Sequence, residues 1–242
     1  MLGTLTQAFE ALKDFVYPPR CALCDSSLSV IPSEVEESLA CDCNPEAKPK
    51  DLALICTPCA VSLNRVEADF TAPHLAHVWF DRARSVYPFE GRLRDALHGF
   101  KYGERFDLTE YLTGVLEAET RSMESLDLII PVPLHPKRLR SRGFNQSIVV
   151  ARPLAKRLGV SFDVDTLVRA TDPGPQVDRE RKERIQAVKG IFAVKDPQRI
   201  KGKKVLLIDD VLTTGATVNE CARVLKKNGA SCVEVLTIAR TL

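Results

Sequence analysis

One short segment constrains the fold of this chain more than any other, because it joins a strand, a turn and the start of a helix. An unbroken apolar run at 205–208 ends at two adjacent carboxylates, Asp209 and Asp210. Small and hydroxyl-bearing residues follow: Thr213, Thr214, Gly215, Ala216 and Thr217. The apolar run is typical of a strand buried on both faces. A predicted helix at 216–228 and a predicted strand at 231–238 come next, which favours an α/β fold with a parallel sheet.

After residue 65, other apolar, strand-like runs also alternate with amphipathic, helix-like segments. The periodicity predicts strands at 77–80, 83–88 and 126–132 and helices at 92–100, 108–122, 146–158 and 179–188. Before residue 65 the composition is different, with many cysteine, proline, serine and glutamate residues. A length of 242 residues suits one large domain or two unequal ones. We therefore predict two domains, residues 1–64 and 65–242.

The residue types around Asp209 indicate a ligand that carries both hydroxyls and a phosphate. In open α/β sheets, ligands bind beyond the carboxyl ends of the strands. The helix that follows offers free backbone N–H groups and the positive end of its dipole, which suit a phosphate. Two carboxylates would repel a phosphate, so we interpret Asp209 and Asp210 as partners of sugar hydroxyls or of Mg²⁺. The alternative, a helix simply capped by an acid, explains one of these residues but not the whole run.

The run from Val205 to Thr217 resembles the signature with which type I phosphoribosyltransferases bind phosphoribosyl pyrophosphate (PRPP): apolar residues, two acids, then Thr-Thr-Gly-x-Thr. Three further segments resemble the ComF family, which is competence-associated and amidophosphoribosyltransferase-like: 100–103, 127–138 and 142–146. Two Cys-x-x-Cys pairs after Tyr17-Pro18-Pro19 are similar to the same family. The resemblance extends over nearly the whole chain. It implies a type I phosphoribosyltransferase-like parallel sheet with an N-terminal helix and a small zinc-ribbon domain.

The resemblance also implies a place for each part of PRPP. The catalytic pair Asp209 and Asp210 would meet the ribose hydroxyls, directly or through Mg²⁺, and the loop Thr213–Thr217 would cradle the 5-phosphate. The pyrophosphate would lie against the turn after Pro133, at Leu134, His135, Lys137 and Arg138, whose two basic side chains supply positive charge. Four other residues are typical of the family, and the sequence does not define their roles: Lys101, Arg142, Asn145 and Gln146.

Two hypotheses of function follow from these residues. In the first, the chain is a PRPP- and Mg²⁺-dependent enzyme that transfers phosphoribose to an unidentified acceptor and releases pyrophosphate. In the second, it is a non-catalytic factor of natural transformation that handles single-stranded DNA beside a competence helicase. The net charge of +2 argues against general nucleic-acid binding and leaves a local basic patch, formed by Lys137, Arg138, Arg140 and Arg142.

The cysteines predict a second site. Six of the eight precede residue 60, and Cys21-x-x-Cys24 and Cys56-x-x-Cys59 have the spacing of two metal knuckles. Two such pairs complete a tetrahedral Zn²⁺ site, and four thiolates leave no open position for a substrate, so we predict a structural role. The 31-residue stretch 25–55 holds seven acids and two lysines and is interpreted as an acidic insertion. Its Cys41 and Cys43 would either replace one pair or stay unligated.

An amphipathic helix is predicted near the N-terminus from the spacing of Leu2, Leu5, Phe9, Leu12 and Val16. We expect no secretion signal, because Glu10 and Asp14 interrupt any apolar h-region. We expect no membrane insertion, because no apolar run approaches the ~18 residues of a membrane helix. A cytoplasmic protein with reduced cysteines is therefore expected. His74, His77 and His98 are isolated in the sequence and are interpreted as structural or surface residues.

Overall fold

The computed structural model describes residues 20–26, 55–102, 105–123, 125–169 and 190–242. The helix predicted near the N-terminus, most of the insertion at 25–55 with Cys41 and Cys43, and the helix predicted at 179–188 lie outside the described residues. None of the helices that the structure describes is long and apolar enough to span a membrane.

The chain divides into two compact units, Met1–Leu63 and Asn64–Leu242. In the described part of the smaller unit, the backbone N–H of Asp25 donates to the carbonyl of Cys21 over 2.9 Å and closes a tight turn around the first cysteine pair. The second pair lies at the start of helix α1, Thr57–Ser62. Short local turns therefore hold both cysteine pairs in position.

The larger unit alternates strands and helices along the chain. Its strands are β1 (Arg82–Pro88), β2 (Leu128–Pro131), β3 (Ser161–Phe162), β4 (Leu167–Arg169), β5 (Phe192–Val194), β6 (Lys204–Leu212) and β7 (Cys232–Arg240). Its α-helices are α2 (Gly91–Lys101), α3 (Leu108–Thr120), α4 (Pro136–Arg142), α5 (Gln146–Leu158) and α6 (Ala216–Lys227). A 3₁₀ turn at Pro197–Arg199 precedes β6.

Five strands form one sheet in the order β1-β7-β6-β2-β3. Each neighbouring pair in it is parallel, which confirms the predicted α/β class with a parallel sheet. Strand β6 lies between β2 and β7, with Val205 opposite Leu128 on one side and Val233 on the other. Strands β4 and β5 form a separate antiparallel pair.

Helices cover β6 on both faces of the sheet. Val205 and Leu207 belong to one buried cluster with Leu225 of α6. Leu206 and Ile208 alternate with them along the strand and are buried on the other face. There α3 and α5 pack against the sheet and against each other. Strand β6 leaves this three-layered core at its carboxyl end, where the acidic residues begin.

Two strand predictions differ from the structure. Strand β6 continues beyond Ile208 to Leu212, because the backbone of its last residues stays paired with β7. Residues 77–80 do not form a strand, since the N–H of Trp79 donates to Asn219 Oδ1 over 2.7 Å instead. In both segments, a long-range hydrogen-bond partner decides the outcome, which strand propensity alone does not determine.

The predicted turn after Pro133 ends in a short helix, α4. Proline at position 136 suits the first helical position, because its φ is already helical and it has no N–H to satisfy. The His135 ring accepts the N–H of Lys137 and caps the helix, and Gly143 ends it with a φ of +78°. Helix α5 begins and ends where the sequence predicts and continues through Pro153.

Candidate active site and metal centre

Asp209 and Asp210 lie where β6 leaves the core. The hydroxyl of Ser147, in the first turn of α5, donates to Asp209 Oδ1 over 3.0 Å. The ammonium of Lys101, at the end of α2, lies 3.2 Å from Asp210 Oδ2, and both side chains of this ion pair are less than one fifth exposed. Each carboxylate therefore has a partner on a different helix, and the two helices orient the pair.

The surroundings of Asp209 shift its ionisation. Burial, together with the negative charge of Asp210, raises the pKa of Asp209 to about 7. Hydrogen bonds from the Asp210 N–H and the Ser147 hydroxyl, and the charge of Lys101, favour the ionised form and limit the rise. Two adjacent carboxylates in a partly dehydrated position repel each other. A cation or a set of hydroxyl donors at this position would relieve that repulsion.

The segment Thr213–Thr217, which we call the loop, joins β6 to α6: residues 213–215 connect the two elements, and Ala216 and Thr217 are the first residues of the helix. Gly215 has a φ of +74° and immediately precedes the helix. A residue with a Cβ is strained in this left-handed conformation, which explains the glycine. The Thr214 hydroxyl accepts the N–H of Ala216 over 3.3 Å. Helix α6 has 12 residues, and the aligned peptide dipoles of such a helix place partial positive charge at its N-terminus. The backbone N–H groups of the first turn can therefore bind an anion.

A segment before β1 packs on this loop. We call residues 69–80 the strap. His74 Nε2 lies 2.7 Å from the carbonyl oxygen of Thr214. The Phe70 ring covers Gly215, because a Cβ added to that glycine would lie 2.7 Å from Phe70 Cε1. Sequence reasoning missed this role of His74, which it treated as an isolated residue.

The strap also bonds to the helix beyond the loop. Asn219 Oδ1 accepts the N–H of Trp79 over 2.7 Å, and Asn219 Nδ2 donates to the carbonyl of His77 over 2.9 Å. The bonded residues are at least 140 positions apart in the chain. No local pattern in the sequence marks such a contact.

Asn145 and Gln146 connect the neighbouring segments. Asn145 caps α5, and its Nδ2 donates to the carbonyl of Val132 over 3.0 Å. Gln146 Nε2 donates to the carbonyl of Lys101 over 3.0 Å, and Arg142 donates to Gln146 Oε1 over 3.3 Å. Of the four residues without a derived role, Lys101, Arg142 and Gln146 therefore lie in one hydrogen-bonded group, and Asn145 lies beside it at the start of α5.

The predicted pyrophosphate-binding residues lie between β2 and the first turn of α4. Leu134 and His135 precede the helix, and Lys137 and Arg138 lie in its first turn with exposed side chains. Helix α4 contains no acidic residue. The basic side chains therefore form a positively charged surface that starts at the carboxyl end of β2, next to the end of β6.

Aromatic rings lie next to this basic helix. The ring centroids of Phe106 and Phe144 are 4.7 Å apart, and the Arg142 guanidinium lies 5.8 Å from the centre of the Tyr102 ring. Tyr102 is 67% exposed and Phe106 is 49% exposed. We call these four residues the aromatic patch. Large exposed rings beside arginine side chains mark an interaction surface.

The four predicted metal ligands are brought together in the smaller unit. The Sγ atoms of Cys21, Cys24, Cys56 and Cys59 all lie within 4.8 Å of one another. The sulfurs of Cys24 and Cys56 are 3.6 Å apart, near the ~3.8 Å edge of a tetrahedron with metal–sulfur bonds of ~2.3 Å. Hydrogen bonds with the side chain and backbone of Ser26 lower the pKa of Cys24 to about 6, whereas burial raises the pKa of Cys56. The cluster is compatible with a zinc ribbon.

Known proteins resemble this chain over about two thirds of its length. The sequence profile of the phosphoribosyl transferase domain matches residues 145–241. DNA utilization protein YhgH of Salmonella typhimurium is 32% identical over 169 residues, which are 67% of this chain and 74% of that protein. Competence protein ComFC of Streptococcus pneumoniae is 28% identical over 157 residues, which are 65% of this chain and 67% of that protein.

Among solved structures, glutamine PRPP amidotransferase from B. subtilis is 22% identical with a TM-score of 0.39, over 55% of this chain and 26% of that one. The assignment to a family rests on the sequence relatives, which carry the names of competence and DNA-utilization proteins and match two thirds or more of their own length. This chain belongs to the ComF family.

Proposed function

We propose that this protein binds PRPP with Mg²⁺ and transfers its phosphoribose to an acceptor, with release of pyrophosphate. One observation carries the proposal: the Asp209–Asp210 pair lies in the last part of β6, two residues before the Thr213–Thr217 loop and the N-terminus of α6. The match of residues 145–241 to the phosphoribosyl transferase profile supports it. We place the protein in the cytoplasm, where thiols stay reduced.

Different residues of the site would bind different parts of PRPP. The N–H groups at the start of α6 and the threonine hydroxyls of the loop bind the 5-phosphate. Asp209 and Asp210 accept hydrogen bonds from the ribose hydroxyls. Lys137 and Arg138 neutralise the pyrophosphate. Lys101 holds Asp210 in position and adds a further positive charge on that side.

In the reaction, a nucleophilic atom of the acceptor forms a bond to C1 of the ribose. The bond between C1 and the pyrophosphate oxygen breaks, and its electron pair leaves with the pyrophosphate. Positive charge develops on the sugar and negative charge on the leaving group. The carboxylates stabilise the first and the basic residues of α4 stabilise the second, so positioning and electrostatics supply the catalysis.

Both proposed metals suit the residues that would hold them. Carboxylate oxygens are preferred ligands of Mg²⁺, and the Asp209–Asp210 pair offers them where their mutual repulsion favours a cation. Asp209 and Asp210 would hold Mg²⁺, which would supply positive charge to the anionic ligand. Four cysteine sulfurs at near-tetrahedral spacing suit Zn²⁺ in a structural role.

Calorimetric titration of PRPP with and without Mg²⁺ tests the first site. We expect magnesium-dependent binding by the native protein and none by the double variant Asp209→Asn, Asp210→Asn. Asparagine keeps the shape and the acceptor oxygen for Ser147, so thermal unfolding should show a folded variant. Asp95→Asn, an exposed carboxylate on α2, is the matched control and should bind like the native protein. Failure of the native, metal-loaded protein to bind PRPP would reject the proposal.

A second titration tests the basic helix. The double variant Lys137→Ala, Arg138→Ala should weaken PRPP binding by about tenfold or more, because it removes charge-assisted contacts to the pyrophosphate. Arg140→Ala, later in the same helix, is the control and should change the affinity less than about threefold. Equal losses in the two variants would mean that the whole helix acts only through its general charge.

We propose a second function, the handling of single-stranded DNA, on the evidence of the aromatic patch. Exposed aromatic rings stack on unpaired bases and contribute ~1–3 kcal/mol per base, while a basic surface binds the backbone phosphates. Tyr102 and Phe106 provide such rings beside the acid-free helix α4. Competence and DNA utilization in the names of the relatives agree with this role, which would place a competence helicase among the partners.

Fluorescence anisotropy with labelled oligothymidylate tests this function. Tyr102→Ala should weaken binding of the single strand by about tenfold, since it removes one stacking platform. Leu242→Ala, which truncates another exposed apolar side chain, is the control. Equal binding of duplex and single strand, or no loss in Tyr102→Ala, would reject a stacking site.

A further inference from the structure

We propose that the strap, residues 69–80, holds the Thr213–Thr217 loop in the shape that receives a phosphate, and that His74 is the positioning residue in this contact. The proposal rests on the proposed function, because the ligand of the loop is taken to be the 5-phosphate of PRPP. It assigns a role to a segment that lies far from the loop in the sequence.

His74 sets the direction of one peptide group. Its Nε2 lies 2.7 Å from the Thr214 carbonyl oxygen, and a carbonyl only accepts, so the ring nitrogen carries the proton and donates it. In a trans peptide, the C=O and the following N–H point in opposite directions. With its carbonyl bound to the strap, the Thr214–Gly215 peptide turns the N–H of Gly215 away from the strap. That N–H is then available to an anion on the open side of the loop.

Phe70 supports the same turn by packing its ring against Gly215. Its ring occupies the space that a Cβ of residue 215 would need, so glycine and phenylalanine fit each other there. The backbone N–H of Phe70 donates to the carbonyl of Ala83 in β1 over 2.7 Å, which ties the ring to the edge of the sheet. Phe70 also packs against the buried cluster beneath α6. The ring is therefore held by the sheet and the core, and not by the loop alone.

Asn219 anchors the other end of the strap. Its amide binds the backbone of both His77 and Trp79, and its own N–H donates to the Gly215 carbonyl over 2.9 Å. The strap and the loop are thus joined at His74 and again one turn into α6. A loop ordered before its ligand arrives loses less conformational entropy on binding, which increases affinity.

Hydrogen–deuterium exchange of the ligand-free protein tests whether the strap orders the loop. His74→Ala should speed exchange of the hydrogen-bonded amides of Ala216 and Asn219 by about tenfold, the equivalent of one net hydrogen bond. The acceptors of these amides are the Thr214 hydroxyl and the Gly215 carbonyl. His74→Gln, whose amide can donate to the same carbonyl, should restore slow exchange. Val78→Ala, an exposed position on the same strap, is the matched control and should exchange like the native protein.

Titration with ribose 5-phosphate and, separately, with pyrophosphate tests the link to phosphate binding. His74→Ala should weaken ribose 5-phosphate binding by about tenfold and leave pyrophosphate binding unchanged, whereas general unfolding would weaken both. Unchanged exchange and affinity in His74→Ala would overturn the proposal. Tighter binding in His74→Ala would also overturn it, because the strap would then compete with the ligand. If the native protein binds no PRPP, the proposed function and the phosphate part of this inference fail together, and exchange alone decides whether the strap orders the loop.

Discussion

The four-cysteine cluster and the Asp209–Asp210 site both gather groups that repel one another, but they hold those groups by different means. In the cluster, two short turns bring four sulfurs within 4.8 Å, and a cation is the natural way to join them. At the carboxylate site, the end of a five-stranded sheet holds the pair. Ser147 and Lys101 already partner the two acids there. We therefore expect the first site to depend on a bound ion, whereas the partners of the second are protein groups of the chain itself.

The pKa values of Cys24 and Asp209 are shifted in opposite directions. Hydrogen bonds with Ser26 lower the pKa of Cys24 to about 6, so this sulfur is largely a thiolate at neutral pH. Burial and Asp210 raise the pKa of Asp209 to about 7, so this carboxyl still holds a proton near neutral pH. In the cluster, hydrogen bonds with Ser26 thus favour the Cys24 thiolate that a cation would bind, whereas burial of Cys56 opposes its ionisation. At the carboxylate site, burial and Asp210 oppose the ionisation of Asp209, which a bound cation would favour.

The largest effect that separates the two sites should come from the double variant Cys56→Ser, Cys59→Ser. We expect zinc to fall from about one ion per chain to nearly none, because structural zinc contributes ~10–16 kcal/mol to folding in small domains. Elemental analysis of the purified protein measures the loss. The thermal transition of the larger unit should remain, since its core uses none of these cysteines.

Cys41→Ser, Cys43→Ser is the control for the cysteine variant. Zinc should stay at about one ion per chain, because Cys21, Cys24, Cys56 and Cys59 already offer the four sulfurs of a tetrahedral ligand set. Unchanged zinc in Cys56→Ser, Cys59→Ser, or its loss in the control, would contradict the assignment and remove the contrast between the two sites.

An intermediate effect is expected from Gly215→Ala, which tests how rigidly the strap holds the Thr213–Thr217 loop. The backbone strain of a positive φ costs ~1–2 kcal/mol, and the clash with Phe70 adds ~1–3 kcal/mol of overpacking. Gly143→Ala is the matched control, since its φ is +78° but nothing lies within 4 Å of the added Cβ. Urea unfolding should show the larger loss for Gly215→Ala. Equal losses would mean that the strap yields easily and that the loop is not preorganised.

The smallest effect is expected in the pH dependence of the thermal stability of Asp209→Asn. Because the pKa of Asp209 is raised from about 3.8 to about 7, the native state keeps a proton that the unfolded chain releases in this range. The native protein therefore loses stability from this group as pH rises from about 4 to 7. Asparagine has no such dependence, so the variant should gain about 5–10 °C in Tm relative to the native protein between pH 5 and pH 8. A parallel pair of Tm profiles would contradict the raised pKa, and Asp95→Asn serves as the control.

Elements with local signals were predictable from the sequence. Helix α5 has the predicted bounds, because Asn145 caps it and its apolar residues recur at helical spacing. The parallel sheet followed from the alternation of apolar runs with amphipathic segments. The four cysteines were predictable as a set, because each pair is a local motif and four sulfurs satisfy one tetrahedral ion. Asp209, Asp210 and the loop after them were predictable because they form one continuous segment.

Other features depend on partners far away in the chain. The extension of β6 to Leu212 needs β7 beside it. Ser147 became a partner of Asp209 only through the packing of α5 against the sheet. His74 had no pattern that distinguished it from His77 or His98, and its contact with Thr214 spans 140 residues. Hydrogen bonds of this kind are set by the position of whole elements.

By itself, the sequence determined the chemical groups and the type of each local element, because periodicity, capping and motif spacing act over a few residues. Only the tertiary structure decided which helix ends partner the two carboxylates and which segment lies over the loop. The physical reason is that such contacts arise after strands and helices have packed, when residues distant in the chain meet at one edge of the sheet.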